Sequence, residues 1–183
     1  MNRISVARVR PLCALLALVL TVSCTRNQRV LPEKPAQPIE ISIVGTTDLH
    51  GRVWRLPRLA GFVNALRATR PGRVVLIDSG DMMQGTLESD LGEGEAIFAA
   101  YRALRYDAVA IGNHEFDYGP RGPNPTPQSP SDDPRGALKA RAQQAKGAFP
   151  VLAANLRDGE KGVGWENVKA SHVVALESGL RVG

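Results

Sequence analysis

The chain has 183 residues, of which 43% are hydrophobic, so it is long enough for one globular domain with a buried core but short for two. Its formal net charge is +5, but the first 23 residues hold three arginines and no acidic residue, which leaves 20 basic and 18 acidic side chains in the rest. Because this balance is nearly even, we do not expect a nucleic acid polymer as a partner.

The N-terminus carries the pattern of an export signal. Three arginines precede an apolar run at residues 12–22, and a small residue and Cys24 follow it. The run is too short to span a bilayer permanently. Cys24 stands where a bacterial lipoprotein signal has its acylated cysteine, although Thr21 replaces the usual leucine, so cleavage without lipidation stays an alternative. We predict an export signal over residues 1–24, with Cys24 lipidated as a membrane anchor.

The segment after the signal is predicted to be a tether. Residues 25–38 are polar and contain three prolines, a composition typical of linkers. Cys13 lies in the signal and Cys24 is the lipid site, so no intramolecular disulfide is expected. The folded part is therefore predicted to begin at Ile39 and to be stabilised by packing or by metal. An exported protein of this kind would be periplasmic or attached to the outer membrane of a Gram-negative bacterium.

The folded part begins with alternating strands and helices. Ile39, Ile41 and Ile43 alternate with polar residues, which predicts a half-buried strand with these isoleucines on one face. Apolar residues at helical spacing predict a helix over 56–66, which Pro71-Gly72 ends. The β-branched run at 74–77 predicts a strand covered on both faces.

The same alternation continues towards the C-terminus. Apolar spacing predicts a helix over 96–104 and a strand over 108–111. Six prolines fall between residues 119 and 134 among almost no apolar residues, which indicates a surface insertion. A helix over 137–146 and a strand over 150–154 follow. The order strand, helix, strand, helix, strand predicts an α/β fold.

The end of the chain is predicted to contain two further strands. Residues 171–183 alternate in polarity on both sides of Ser178-Gly179, which is typical of a hairpin. His172 lies within this alternation, and we interpret it as a strand residue rather than a metal ligand.

The first three predicted strands each end in side chains that commonly bind metals. These side chains are Asp48 and His50, then Asp81, then Asn113 and His114. Because the carboxyl ends of strands line one crevice in open α/β sheets, we expect the three clusters to converge. Each cluster alone would be weak evidence, since short combinations of this kind occur often by chance.

Crowded carboxylates strengthen the prediction of a metal site. Asp48, Asp81 and Asp117 would repel one another at one sheet edge unless cations or raised pKa values compensated. Mixed oxygen and imidazole ligands suit Zn, Mn or Fe, whereas the near absence of thiols argues against a structural zinc site.

Three motifs carry a family resemblance. DLHG at 48–51, GD at 80–81 and GNHE at 112–115 resemble the first three motifs of the calcineurin-like metallophosphoesterases. The longer strings GDMMQGT at 80–86 and GNHEFDYG at 112–119 resemble the branch of bacterial 5'-nucleotidases and UDP-sugar hydrolases. The chain departs from that branch at Thr47, where an asparagine is usual. The resemblance implies that residues 39–183 form the N-terminal part of an α/β/β/α sandwich.

The resemblance assigns six side chains to two divalent metal ions and to the reaction. Asp48 and His50 would bind the first ion, Asp81 would bridge both ions, and Asn113 would bind the second ion through its amide oxygen. His114 and Asp117 resemble the family's catalytic pair, in which the carboxylate orients the imidazole. A turn-capping role for Asp117 stays the alternative.

Other polar and apolar residues near the motifs are expected to have supporting roles. Glu115 is predicted to hold loop backbone rather than to touch metal. Asp78 and Asn155 could face the site or be structural, and both interpretations stay open. Met82 and Met83 are predicted to be packing residues.

The family completes its metal shells with further histidines later in the chain, and this sequence has three histidines in all. We therefore expect an incomplete fragment whose own activity stays open. The predicted function is metal-dependent hydrolysis of small phosphoesters, with extracytoplasmic nucleotides or related phosphomonoesters as substrates. The alternatives are a thiosulfohydrolase-like relative and a noncatalytic lipoprotein that binds a partner.

Overall fold

The computed structural model describes residues 38–183. The predicted export signal, the lipid site at Cys24 and all but the last residue of the predicted tether lie outside the described residues.

A five-stranded parallel sheet forms the centre of the described part of the chain. Its strand order is β1-β2-β3-β4-β7, and two small antiparallel pairs, β5-β6 and β8-β9, lie outside it. The strands are β1 Ser42–Thr46, β2 Val74–Asp78, β3 Ala108–Ala110, β4 Val151–Leu152, β5 Arg157–Asp158, β6 Lys161–Gly162, β7 Val168–Lys169, β8 Val174–Ala175 and β9 Arg181–Val182.

Helices connect the parallel strands. They are α1 Leu56–Thr69, α2 Leu87–Asp90, α3 Glu95–Leu104 and α4 Gly136–Gln144, with short 3-10 helices at Val53–Arg55 and His114–Phe116. A proline in the first turn of α1 fits there because that N–H has no partner inside the helix. Gly94 and Arg105 bound α3 in left-handed conformations. No described helix is long and apolar enough to cross a membrane.

The core lies on one face of the sheet. Alternate residues of the strands, Val44, Leu76, Val109 and Val151, pack with the buried sides of α1, α3 and α4 in one cluster. The side chains from α3 are the largest contribution, because that helix buries Ile97, Phe98, Tyr101 and Leu104. Packing on this face therefore holds together the strands whose ends carry the polar motifs.

The prediction for the first strand was wrong in its face and its start. Ile39 precedes β1 and is 51% exposed, and Ile43 is 56% exposed, whereas Val44 packs against the core. Pairing of Val44 with Leu76 decides which face of β1 meets the helices, and a shift of one residue exchanges the two faces of a strand. The sequence pattern contains no information about this pairing.

The other predicted elements are confirmed within a few residues. The insertion has no helix or strand between residues 119 and 134, and the two C-terminal strands pair as β8 and β9. His172 lies two residues before β8 rather than inside a strand. The short helix α2, the β5-β6 pair and β7 were not predicted, because each is too short to show a periodicity in the sequence.

Candidate active site

Three loops meet at the carboxyl edge of the parallel sheet. They follow β1, β2 and β3, and backbone hydrogen bonds join the first two. The backbone N–H groups of Asp48 and His50 donate to the carbonyl oxygens of Gly80 and Asp81, both at 3.1 Å. The N–H of Gly51 donates to the carbonyl of Met82 at 3.0 Å. The predicted convergence of these motifs is therefore present in the fold.

Three of the predicted ligands have strained backbones. Asp48, His50 and Asp81 have φ values of 53°, 47° and 56°, in the left-handed region that side chains other than glycine rarely adopt. Such conformations cost on the order of 1–3 kcal/mol each and persist only where neighbouring structure fixes them. The interloop hydrogen bonds fix them here. His50 and Asp81 join one cluster of ligand-type atoms, whereas Asp48 lies beside His50 outside that cluster.

A buried carboxylate holds together the backbones of the second and third loops, which follow β2 and β3. Glu115 is 1% exposed, and its Oε1 accepts hydrogen bonds from the N–H groups of Met82 and Met83 at 2.9 and 3.1 Å. Its Oε2 accepts from Asp81 and Gly112 at 2.9 and 2.7 Å. The structure thus confirms that Glu115 holds loop backbone.

Two glycines allow the second and third loops to touch. A Cβ on Gly80 would lie 2.5 Å from the backbone nitrogen of Gly112. A Cβ on Gly112 would overlap Oδ1 of Asp81. The glycines therefore let the Asp81 carboxylate sit directly against the backbone of the third loop, where Oδ1 also accepts from the N–H of His114 at 2.9 Å.

A cluster of ligand-type atoms lies at the centre of the site. His50, Asp81 and His114 each offer one ligand atom, and the three atoms lie within 4.8 Å of one another. The rings of His50 and His114 meet edge to face with centroids 4.7 Å apart. Oδ1 of Asp48 lies 3.7 Å from Nε2 of His50, and 60% of the Asp48 side chain is exposed. Carboxylate and imidazole donors at this spacing fit a divalent cation.

His114 and Asp117 form a close pair at the mouth of the site. Nδ1 of His114 and Oδ2 of Asp117 are 2.6 Å apart, and about a third of the His114 side chain is exposed. The hydrogen bond to Asp117, followed by the nearby negative charges, raises the pKa of His114 above its usual value. The bond orients the ring through Nδ1. An imidazole held in this way can serve as a metal ligand or as an acid through its other nitrogen, Nε2.

The remaining predicted residues lie in the third loop, in the core and in a turn after β4. Asn113 precedes His114 in the third loop, and its side chain is exposed. Met82 and Met83 are fully buried, which confirms their packing role. Asn155 lies in an exposed turn after β4.

Asp78 is structural, beneath the site. It is 3% exposed, and burial raises its pKa. Three hydrogen-bond donors to its carboxylate act in the opposite direction but do not cancel the effect of burial. The donors are the N–H of Gly80 at 2.8 Å and the hydroxyls of Thr46 and Tyr101 at 2.5 and 2.8 Å. The carboxyl group joins the ends of β1 and β2, from which the first two site loops depart.

Tyr118 supports the loops of the site, a role that the sequence motifs did not indicate. Its hydroxyl bonds residues 28 to 34 positions away in the chain, in the loop after β2 and in α2. Burial raises its pKa to about 12, so it stays neutral near pH 7. Its position inside the string GNHEFDYG at 112–119 was the available signal, but the sequence could not reveal partners this distant.

Comparison with known proteins agrees with this arrangement. A family model described as calcineurin-like phosphoesterase matches residues 41–168, which include all three site loops. The chain belongs to this family of hydrolases. The predicted family and the α/β fold are thereby confirmed, and membership of this family implies divalent metal ions.

Several relatives are similar over most of this chain. Protein UshA of Escherichia coli K12 is 31% identical over 75% of this chain and 24% of its own length. A human 5'-nucleotidase is 31% identical over 64% of this chain and 21% of its own length. The chain thus spans about a quarter of the length of the curated relatives it matches.

Solved structures share the fold. A 5'-nucleotidase precursor from Thermus thermophilus matches with a TM-score of 0.57 and 26% identity, over 77% of this chain and 27% of that one. The NAD nucleotidase of Haemophilus influenzae matches with a TM-score of 0.60 and 21% identity, over 78% of this chain and 25% of that one. At that identity the second match supports the fold alone.

Proposed function

We propose that residues 39–183 form the N-terminal, metal-binding part of a phosphomonoester hydrolase. The observation that carries the proposal is the approach of His50, Asp81 and His114 to within 4.8 Å, with His114 paired to Asp117 at 2.6 Å. The family match over residues 41–168 supports the reaction class.

Four side chains would hold two divalent ions, either Zn, Mn or Fe. Asp48 and His50 would bind the first ion, Asp81 would bind both ions, and Asn113 would bind the second through its amide oxygen. Bound ions would neutralise phosphate charge and make a water molecule more acidic, so that it can attack phosphorus in line. Glu115 keeps the Asp81 backbone in place for this role.

His114 would act on the leaving group. As the bond from water oxygen to phosphorus forms and the bond to the ester oxygen breaks, that oxygen gains negative charge. Nε2 of His114, the ring nitrogen opposite the one bonded to Asp117, would stabilise this charge or donate a proton to it. Asp117 would hold the ring in position and stabilise its protonated form.

Substrate and location follow from the relatives and from the N-terminus. The relatives named 5'-nucleotidase favour nucleotides or related small phosphomonoesters as substrates. The signal over residues 1–24 favours export to the periplasm, with Cys24 as a lipid anchor to the membrane and residues 25–38 as a tether. These assignments belong to the proposal.

Two variants distinguish the metal ligand from the catalytic acid. Mn2+ affinity and AMP hydrolysis are measured for the chain and for one extended through the downstream reading frame. We expect His50→Ala to weaken Mn2+ binding by at least about tenfold. We expect His114→Ala to keep Mn2+ affinity and to lower kcat by about 100-fold or more wherever the parent is active.

The outcomes separate the alternatives. Equal loss of Mn2+ affinity in both variants would show that His114 is a ligand and would contradict its catalytic role. Turnover of thiosulfonate substrates in place of AMP would support the thiosulfohydrolase alternative. Metal binding without turnover in either chain would support a noncatalytic binding module.

A further inference from the structure

The hydroxyl of Tyr118 is fully hydrogen bonded. It accepts from the backbone N–H of Gln84 at 2.8 Å, donates to Oδ1 of Asp90 at 2.9 Å, and lies 3.1 Å from Oγ of Ser89. A phenol has one hydrogen and two lone pairs, so Ser89 completes the set as the second donor. Tyr118 thus ties the loop that carries His114 and Asp117 to the loop after β2.

The segment held by Tyr118 lies directly against His50. Gln84 has a φ of 57°, a left-handed conformation that is strained for a residue with a side chain and needs its partners, whereas Gly85 adopts its φ of 117° without strain. A Cβ on Gly85 would lie 3.0 Å from the carbonyl oxygen of His50 and 3.2 Å from its Cβ. The N–H of Gly85 also donates to Oδ1 of Asp90, at 3.2 Å.

The next residues of the same segment hold Gly51. Oγ1 of Thr86 donates to the carbonyl oxygen of Gly51 at 2.7 Å. A Cβ on Gly51 would lie 2.7 Å from the Cβ of Ser89, which is fully buried. The turn that carries His50 is therefore packed on residues 84–89, and that segment is bonded to Tyr118.

We propose that Tyr118 is a positioning residue that sets the orientation of His50 relative to His114, through Gln84, Gly85 and Asp90. Its hydroxyl acts through its protein partners Gln84, Ser89 and Asp90. The proposal rests on the proposed function only for the consequence, which is metal affinity; the positioning itself is a property of the chain without metal.

Removing the hydroxyl tests the proposal. In Tyr118→Phe the N–H of Gln84 loses its acceptor, so we expect faster amide hydrogen exchange at His50 and Gly51 in the metal-free chain. Mn2+ affinity should fall about tenfold, the lower end of what loss of a partner behind a metal ligand costs. Tyr106→Phe is the matched control, because its hydroxyl bonds Thr46 at 2.8 Å, away from residues 84–90.

A pair of substitutions at Asp90 tests the route. Oδ1 of Asp90 accepts hydrogen bonds from both the Tyr118 hydroxyl and the Gly85 N–H. The single side-chain carbonyl oxygen of an asparagine can therefore keep both bonds. We expect Asp90→Asn to retain Mn2+ affinity and slow exchange, and Asp90→Ala to behave like Tyr118→Phe. General destabilisation would not separate these two variants in this way.

Each result decides for or against the proposal. Unchanged exchange at His50 and Gly51 in Tyr118→Phe, equal effects of Tyr118→Phe and Tyr106→Phe, or equal effects of Asp90→Asn and Asp90→Ala would overturn it. A parent chain that binds no Mn2+ would contradict the proposed function, while the exchange measurements would still decide the positioning role.

Discussion

The loops of the active site and the proline-rich insertion at 119–134 are both irregular, but different contacts hold them. Glu115 bonds residues 81–83 in the site across 32 to 34 positions of chain. In the insertion, Asp132 bonds the N–H groups of Gln128 and Ser129, four and three positions away. Glu115 is buried, whereas residues 121–130 are all exposed.

This difference predicts where substitutions affect function. A long-range bond to a buried group fixes two loops relative to each other, so its loss costs stability and displaces ligands together. A local bond at the surface fixes one turn, and water replaces it easily. The active-site edge should therefore be sensitive to small chemical changes, and the insertion should tolerate them.

The largest effect is expected at Glu115. In Glu115→Gln an amide NH2 replaces one oxygen, so two backbone N–H groups lose their acceptor and face a donor. Each buried unsatisfied group costs about 1–3 kcal/mol, so the free energy of unfolding in urea should fall by about 3 kcal/mol.

The exposed Glu88 on α2 provides the control. Glu88→Gln makes the same chemical change without burial, and its unfolding free energy should match that of the parent. Equal stability of the two variants would contradict the central role of the Glu115 carboxylate.

The second effect concerns metal affinity at Gly112. A Cβ there would overlap Oδ1 of Asp81 and lie 2.5 Å from the Asp81 nitrogen, so the carboxylate must move. We expect Gly112→Ala to lower Mn2+ affinity by about 10- to 100-fold, measured by titration calorimetry. Gly162→Ala is the control, since a Cβ there meets nothing within 4 Å. A folded Gly112→Ala chain with parental affinity would show that Asp81 is not a ligand in this position.

The sequence predicted the site better than the details of the sheet. The polar clusters could be placed because strand order in an α/β fold brings the carboxyl ends of β1, β2 and β3 together. The buried face of β1 could not be predicted, because the pairing of Val44 with Leu76 decides which face packs against the helices. The role of Tyr118 could not be predicted for the same reason, because its hydrogen-bond partners are close in space but distant in the chain.

A smaller effect, which depends on pH, is expected on stability at Asp78, beneath the site. Burial raises its folded-state pKa above the unfolded value of about 4, so the stability from its protonated form is present below pH 4. That stability is lost as the pH rises through the folded pKa. The stability advantage of the metal-free parent over Asp78→Asn should therefore shrink between pH 4 and 7 in urea unfolding. An advantage that is constant or grows with pH would contradict a raised pKa.

The smallest effect is expected at Asp132 in the insertion. Hydrogen bonds from Gln128 and Ser129 lower the pKa of Asp132, so it stays charged near neutral pH, but the residue is only partly buried. In Asp132→Ala water can take over the freed N–H groups, and surface substitutions of this kind rarely change stability. We expect no measurable change in Tm or in Mn2+ affinity. A loss of Mn2+ affinity in this variant would mean that the insertion supports the site, and the contrast between the two irregular regions would be wrong.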